Sequence, residues 1–108
     1  MPNYMIQGSY TPEGLAAVIR TPQDRFQAVR PAIEKLGGKL KDGYFSFGKY
    51  DFVLIVDMPS NVDAVAILLA FGAGGTVKAT QTTPLLSAAE AVEAMKKASG
   101  TGYKPATK

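Results

Sequence analysis

The chain has no cysteine and no histidine. Without cysteine there is no disulfide, thiolate nucleophile or Cys-ligated cluster, and redox chemistry says nothing of the compartment. Without histidine a His-based catalytic triad, a proximal-His haem and the usual zinc site are excluded, because imidazole is the commonest neutral metal ligand and proton shuttle near neutral pH. Carboxylates do not make good the loss. Asp42, Asp51 and Asp57 stand in no loop-ligand spacing, so neither a metal nor a cofactor is expected. Long apolar runs are missing too: Ala64 to Ala73 is about half of the ~20 residues a bilayer span needs, so a buried helix is expected there and the membrane is not an expected partner. The charge is mildly basic, 12 Lys+Arg against 9 Asp+Glu, but the cations are dispersed singly or sit near the end at Lys96, Lys97, Lys104 and Lys108. A phosphate backbone asks for a clustered stripe, so nucleic acid is not an expected partner. The opening Met-Pro-Asn-Tyr has no basic stretch leading into an apolar one, so no signal or transit peptide is expected and the cytoplasm is the expected location.

What is there suits one compact core. With 108 residues, 46% of them hydrophobic and 19% charged, a single domain over residues 1–98 is expected, followed by a disordered Gly-, Thr-, Lys- and Pro-containing tail over 99–108. Alternation from Asn3 to Tyr10 predicts a strand. Thr11-Pro12-Glu13 predicts a short helix, with a hydroxyl cap, a proline where no N–H is needed and an acid in the first turn. Thr21-Pro22-Gln23-Asp24 resembles a capping box and opens a second helix, whose Phe26, Val29, Ile33 and Leu36 share one face. Pro31 predicts a kink or restart within it, and Gly37-Gly38 a stop.

Two strands follow, Lys39 to Phe47 and Asp51 to Asp57, separated by a turn at Gly48-Lys49-Tyr50. The continuous apolar run from Phe52 to Val56 predicts a strand covered on both faces. Ser60 caps the next helix, which is apolar nearly all round: Val62, Val65 and Leu69 on one side, Leu68 and Phe71 around the rest. A two-layer domain cannot bury such a helix alone, so these five residues are the expected interface of a homo-oligomer. Gly72-Ala73-Gly74-Gly75 leads from helix into strand, the reverse of the order in a phosphate loop, and reads as a connector. Thr76 to Thr83 is the last predicted strand, closed by Pro84. Ser87 and Glu90 form a capping box for a C-terminal helix, with Glu93 placed to pair with Lys97. The resulting order predicts an α+β fold, a ferredoxin-like βαββαβ antiparallel sheet with helices on one face, plus a C-terminal helix. The other sheet face needs a partner.

The stretch Tyr4 to Gly14, Leu36-Gly-Gly-Lys39, Gly48-Lys-Tyr-Asp-Phe-Val53 and Gly75-Thr-Val77, taken in that order, resemble the GYD-domain family, whose name comes from the Gly-x-Tyr-Asp stretch matched by Gly48, Tyr50 and Asp51. The resemblance covers about Met1 to Ala94. It implies a small bacterial or archaeal protein similar in topology to the dimeric α/β-barrel group, whose members pair sheet to sheet and bind or transform small molecules between sheet and helices. Fold analogy transfers no activity.

Two constellations are candidates for chemistry. Tyr50 beside Asp51, where turn meets strand, could polarise or deprotonate a substrate, with Tyr44 and Lys49 as further proton carriers. Turn chemistry explains the same pair, since aspartate bonds nearby backbone N–H groups and tyrosine packs on a sheet edge. Gln7, Ser9, Tyr44, Ser46, Lys78, Thr80 and Thr82 are the polar members of their strands and would line a pocket for a small polar or anionic organic ligand if they share the open face. The competing reading is a wet subunit interface. Tyr4, Tyr10, Phe45, Phe47 and Phe52 read as core aromatics. Three function classes result: a homo-oligomeric small-molecule-binding protein, a cofactor-free oxygenase or isomerase, and a structural assembly unit.

Overall fold

A computed structural model describes residues 1–106; the last two positions of the expected tail lie outside the described residues. The elements are β1 (Asn3–Tyr10), α1 (Pro12–Arg20), α2 (Arg25–Lys35), β2 (Lys39–Phe45), β3 (Phe52–Asp57), α3 (Asn61–Ala73), β4 (Val77–Leu85) and α4 (Ala88–Ser99). The four strands form one sheet in the order β2-β3-β1-β4 with every pairing antiparallel. Two β–α–β units thus interleave, with β1 and β3 at the centre, which is the ferredoxin-like arrangement.

Strand period and burial agree along β1 and β3. Tyr4, Ile6 and Tyr10 of β1 and Phe52, Leu54 and Val56 of β3 turn to the helices and are buried with Ile33 of α2, Ala64 and Ile67 of α3, and Met58. α1 packs on β1, α2 on β2 and α3 on β4. The opposite face carries Met5, Gln7 and Ser9 beside Val53 and Ile55, all half-buried. The apolar run in β3 is therefore buried on one side and left half-covered on the other.

Several boundaries differ from those expected. Asp24, not Thr21, caps α2, because its carboxylate reaches the free N–H groups of both Phe26 and Gln27 at 3.0 and 3.3 Å. α2 runs through Pro31 as one helix, since Phe26 and Val29 before the proline and Ile33 beyond it hold both halves to the core. β4 likewise continues through Pro84 to Leu85. It is an edge strand, where a missing N–H can face away from the neighbour. The link between β2 and β3 is longer than a tight turn, and Phe45 and Phe47, expected in the core, are 43% and 67% exposed.

Thr82 turns to the helix side opposite Ile6, and its Oγ1 is buried with no partner among the described residues. An unmade bond costs more than no bond at all. Thr82→Val is expected to leave the urea midpoint unchanged or raise it by the equivalent of up to about 1 kcal/mol.

α4 begins on the expected capping box: Glu90 N–H donates to Ser87 Oγ at 3.1 Å and Ser87 N–H to Glu90 Oε1 at 2.9 Å. The Ser87 backbone N–H first, and then the Ser87 hydroxyl, hold the Glu90 carboxyl below its ordinary pKa. Lys97 sits 3.6 Å from Glu93. Yet α4 has no buried residue and is not among the helices that pack on the sheet. The radius of gyration, 17.2 Å, exceeds the about 13 Å of a compact chain of this length.

Candidate functional site

A cleft of about 200 Å³ opens between the sheet and the helix layer. Its floor is Tyr10, Phe52 and Leu54; Phe26 and Val29 of α2 form one wall and Phe71 of α3 another, while Arg25 stands at the first position of α2. Glycines in the strands make room for these rings. A Cβ at Gly8 would lie 2.6 Å from Cζ of Phe52, and one at Gly43 2.8 Å from Cδ2 of Phe26. Phe52 therefore lies across β1 with its centroid 5.5 Å from that of Tyr10. Phe26 stacks on Phe45 at 4.6 Å, and Phe45 on Phe47 at 5.6 Å.

The polar groups of the cleft are few. Tyr10 is 8% exposed, and its phenol has no hydrogen-bond partner among the described residues. Burial first, then the Asp51 charge, raises its pKa, while Arg25 pulls it down, so the phenol keeps its proton at neutral pH. Arg25 makes no ion pair among the described residues. Arg30, one turn further on, is engaged with the Leu40 carbonyl at 3.2 Å and with Gln27 Oε1 at 3.4 Å.

The polar residues singled out from sequence are only partly brought together. Gln7, Ser9, Lys78 and Tyr44 fall on the open face by register, Ser9 opposite Lys78 and Tyr44 opposite Val53. Thr82 turns to the helices, and Thr80 lies in the bulge of β4 where Ala79 takes a φ of 52°. Ser46 is in the loop, its Oγ donating to the Tyr50 carbonyl at 2.6 Å. Tyr44 Oη donates to Asp42 Oδ2 at 2.9 Å, and that bond raises the phenol's pKa. Of the α3 residues, Val62, Val65 and Leu69 are exposed, whereas Leu68 and Phe71 pack against the chain's own core.

Tyr50 and Asp51 diverge. Asp51 N–H donates to the Gly8 carbonyl at 2.8 Å, and its Oδ2 accepts from Tyr10 N–H at 2.8 Å. Tyr50 Oη donates to Gln81 Oε1 at 2.8 Å on the far edge strand, with Lys49 Nζ 5.8 Å above its ring. The Ser9 hydroxyl donates to the Lys49 carbonyl at 3.2 Å. Lys49, Tyr50 and Asp51 thus tie the β2–β3 loop to β1 and β4, while Gly48 N–H donates within the loop to the Tyr50 carbonyl at 3.0 Å. No cluster of three or more carboxylates able to hold a metal occurs among the described residues, and none of their helices is long and apolar enough to cross a membrane.

Fold and cleft together define an α+β protein of ferredoxin-like topology with a small aromatic-walled recess between its layers. The GYD domain model matches residues 4–95, and the chain belongs to that family. No curated protein and no solved structure gives a match.

A pocket between sheet and helices, or at a subunit interface, is what the sequence leads one to expect, but the residues that wall the recess are not the polar strand residues expected to line it. Phe26, Val29 and Phe52 were expected in the core, and Arg25 is one of several dispersed cations. The available signal was glycine inside strands at Gly8 and Gly43, where a ring must approach the backbone.

Proposed function

We propose that the chain is a homo-oligomeric small-molecule-binding protein whose site is the cleft between sheet and helices. The observation that carries the reading is the cleft itself: about 200 Å³, walled by aromatic rings and holding an unpartnered phenol. A dry apolar cavity of about 150 Å³ is enough to take up benzene, so a single-ring organic molecule is the right size. The test is calorimetric titration and thermal melting of the full chain with benzamide and with benzoate. Binding of either probe, abolished when Ala70→Trp plugs the rim, supports the site. Failure of both to bind or to raise the melting temperature at millimolar concentration overturns it.

Assembly rests on a separate observation. The chain presents three apolar surfaces that its own core does not fully cover: the half-buried open face around Met5, Val53 and Ile55, the exposed α3 stripe of Val62, Val65 and Leu69, and the α4 stripe of Val92 and Met95. An isolated helix of 12 residues is marginal in water, so α4 needs a surface, and a second copy supplies one of matching character. Val92 and Met95 are 46% and 67% exposed, so charging them leaves the single chain's core intact. Native mass spectrometry is expected to show a multimer for the parent and a folded monomer for Val92→Glu/Met95→Glu. A parent that is already monomeric sinks the assembly.

A further inference from the structure

The cleft has one polar end. Tyr10 and Arg25 both line it, and both also line a neighbouring recess of similar volume with Gly14, Gln23 and Thr76. Apart from Thr76, which lines both recesses, the remaining side chains of the cleft are aromatic or aliphatic. We infer that the ligand is a compact monocyclic carboxylic acid, bound as its anion, with the ring among Phe26, Phe52 and Phe71 and the carboxylate held by Arg25 and the Tyr10 hydroxyl. The inference rests on the proposed small-molecule site and specifies what that site selects.

Three features carry it. The first is that both polar groups lack partners. The Tyr10 hydroxyl makes no bond among the described residues yet is not a buried unbonded atom, so it reaches water through the cleft it lines, and a ligand acceptor can take over that bond. The second is the disposition of the nearby acids. Asp24 is committed to the α2 cap at Phe26 and Gln27, and Asp51 to the backbone of Tyr10, and neither forms an ion pair with Arg25. The guanidinium is left to a ligand, and its planar fork matches a carboxylate through two parallel bonds. The third is size and charge. About 200 Å³ admits one ring and one small anionic group, and a single guanidinium balances a single negative charge. A dianionic or polyphosphate ligand would leave charge that this one guanidinium does not balance.

The protonation state fits. Tyr10 remains a neutral donor at pH 7, which suits an anionic acceptor and would be wasted on a cationic amine. Selectivity should then show as a difference between an acid and its uncharged isostere, because only the anion makes the charge-assisted bonds.

The experiment is calorimetric titration of the full-length protein with benzoate and benzamide, which share ring and shape. Benzoate is expected to bind about tenfold or more tightly than benzamide, the range of one hydrogen bond to a charged group. Arg25→Gln is expected to abolish that preference while leaving benzamide affinity within about threefold, and Arg25→Lys to restore part of it. Tyr10→Phe, which keeps the ring and the packing on Phe52, is expected to weaken benzoate more than benzamide. Equal affinity for the two probes, or a benzoate preference that persists in Arg25→Gln, overturns the acid class and leaves the cleft as a site for neutral rings. Absence of binding by both probes overturns the site itself, so the two failures are distinguishable.

Discussion

Gly14→Ala is expected to lower stability by about 2–3 kcal/mol and the melting temperature by about 10–20 °C. In an exposed helix the same change normally stabilises, since alanine is the better helix former. The sign is reversed here because α1 is pressed onto the start of β4: a Cβ at Gly14 would run into the backbone carbonyl oxygen of Thr76. That carbonyl cannot retreat. It accepts the Thr11 N–H at 3.0 Å, while the Thr11 hydroxyl donates to the Gly75 carbonyl at 3.0 Å and accepts from Gly14 N–H at 3.0 Å. Moving Thr76 away therefore breaks the stitch between the α1 cap and the strand. Thermal melts of Gly14→Ala beside Gly72→Ala, whose Cβ would meet nothing within 4 Å, separate steric conflict from helix propensity. Gly72→Ala is expected to be neutral or slightly stabilising. Equal melting temperatures for the two variants would show that α1 does not lean on β4.

The element order was legible because each local signal has one physical cause. Ser60 and Ser87 cap helices with a hydroxyl that reaches the third N–H, and β1 alternates because one side of it faces α2 and α3. Boundaries failed where tertiary contacts outweighed local preference. Pro31 and Pro84 were read as breaks, yet Ile33 packing and an edge position keep α2 and β4 going. Faces failed where register departs from strict alternation. Thr80 and Thr82 seemed equivalent to Lys78, but the bulge at Ala79 puts an extra residue between them, and a one-residue slip exchanges faces. The lining of the cleft was hidden for a different reason. Phe26, Phe52 and Phe71 are ordinary core residues by pattern, and nothing in their spacing says that three rings leave a gap between them. Of the five α3 residues expected at an oligomer interface, Leu68 and Phe71 instead join Ala64 and Ile67 against the chain's own core. Only the stripe of Val62, Val65 and Leu69 is left uncovered.

Asp51→Ala is expected to cost about 1.5–3 kcal/mol, the range for a hydrogen bond to a charged group, and to expose the amide of Tyr10 to rapid hydrogen exchange. The carboxylate closes a gap in the sheet: beyond Gly8 the β1–β3 ladder ends, so Tyr10 N–H, on a strand at the centre of the sheet, takes its acceptor from a side chain at 2.8 Å. Asp51 N–H meanwhile donates to Gly8, so one residue serves both directions of the strand end. Asp51→Asn keeps a carbonyl oxygen at the same reach and is expected to lose about 1 kcal/mol or less. That ordering distinguishes the two readings of the Gly-x-Tyr-Asp stretch. A structural clamp predicts that Asn rescues most of what Ala loses, in denaturant midpoint and in Tyr10 exchange alike. A proton-transfer residue predicts the opposite pattern, with stability held in both variants and turnover lost in both, because an amide cannot carry the proton. Since Tyr10 also forms the floor of the cleft, the clamp reading adds a consequence: Asp51→Ala should weaken benzoate and benzamide together, whereas Arg25→Gln separates them.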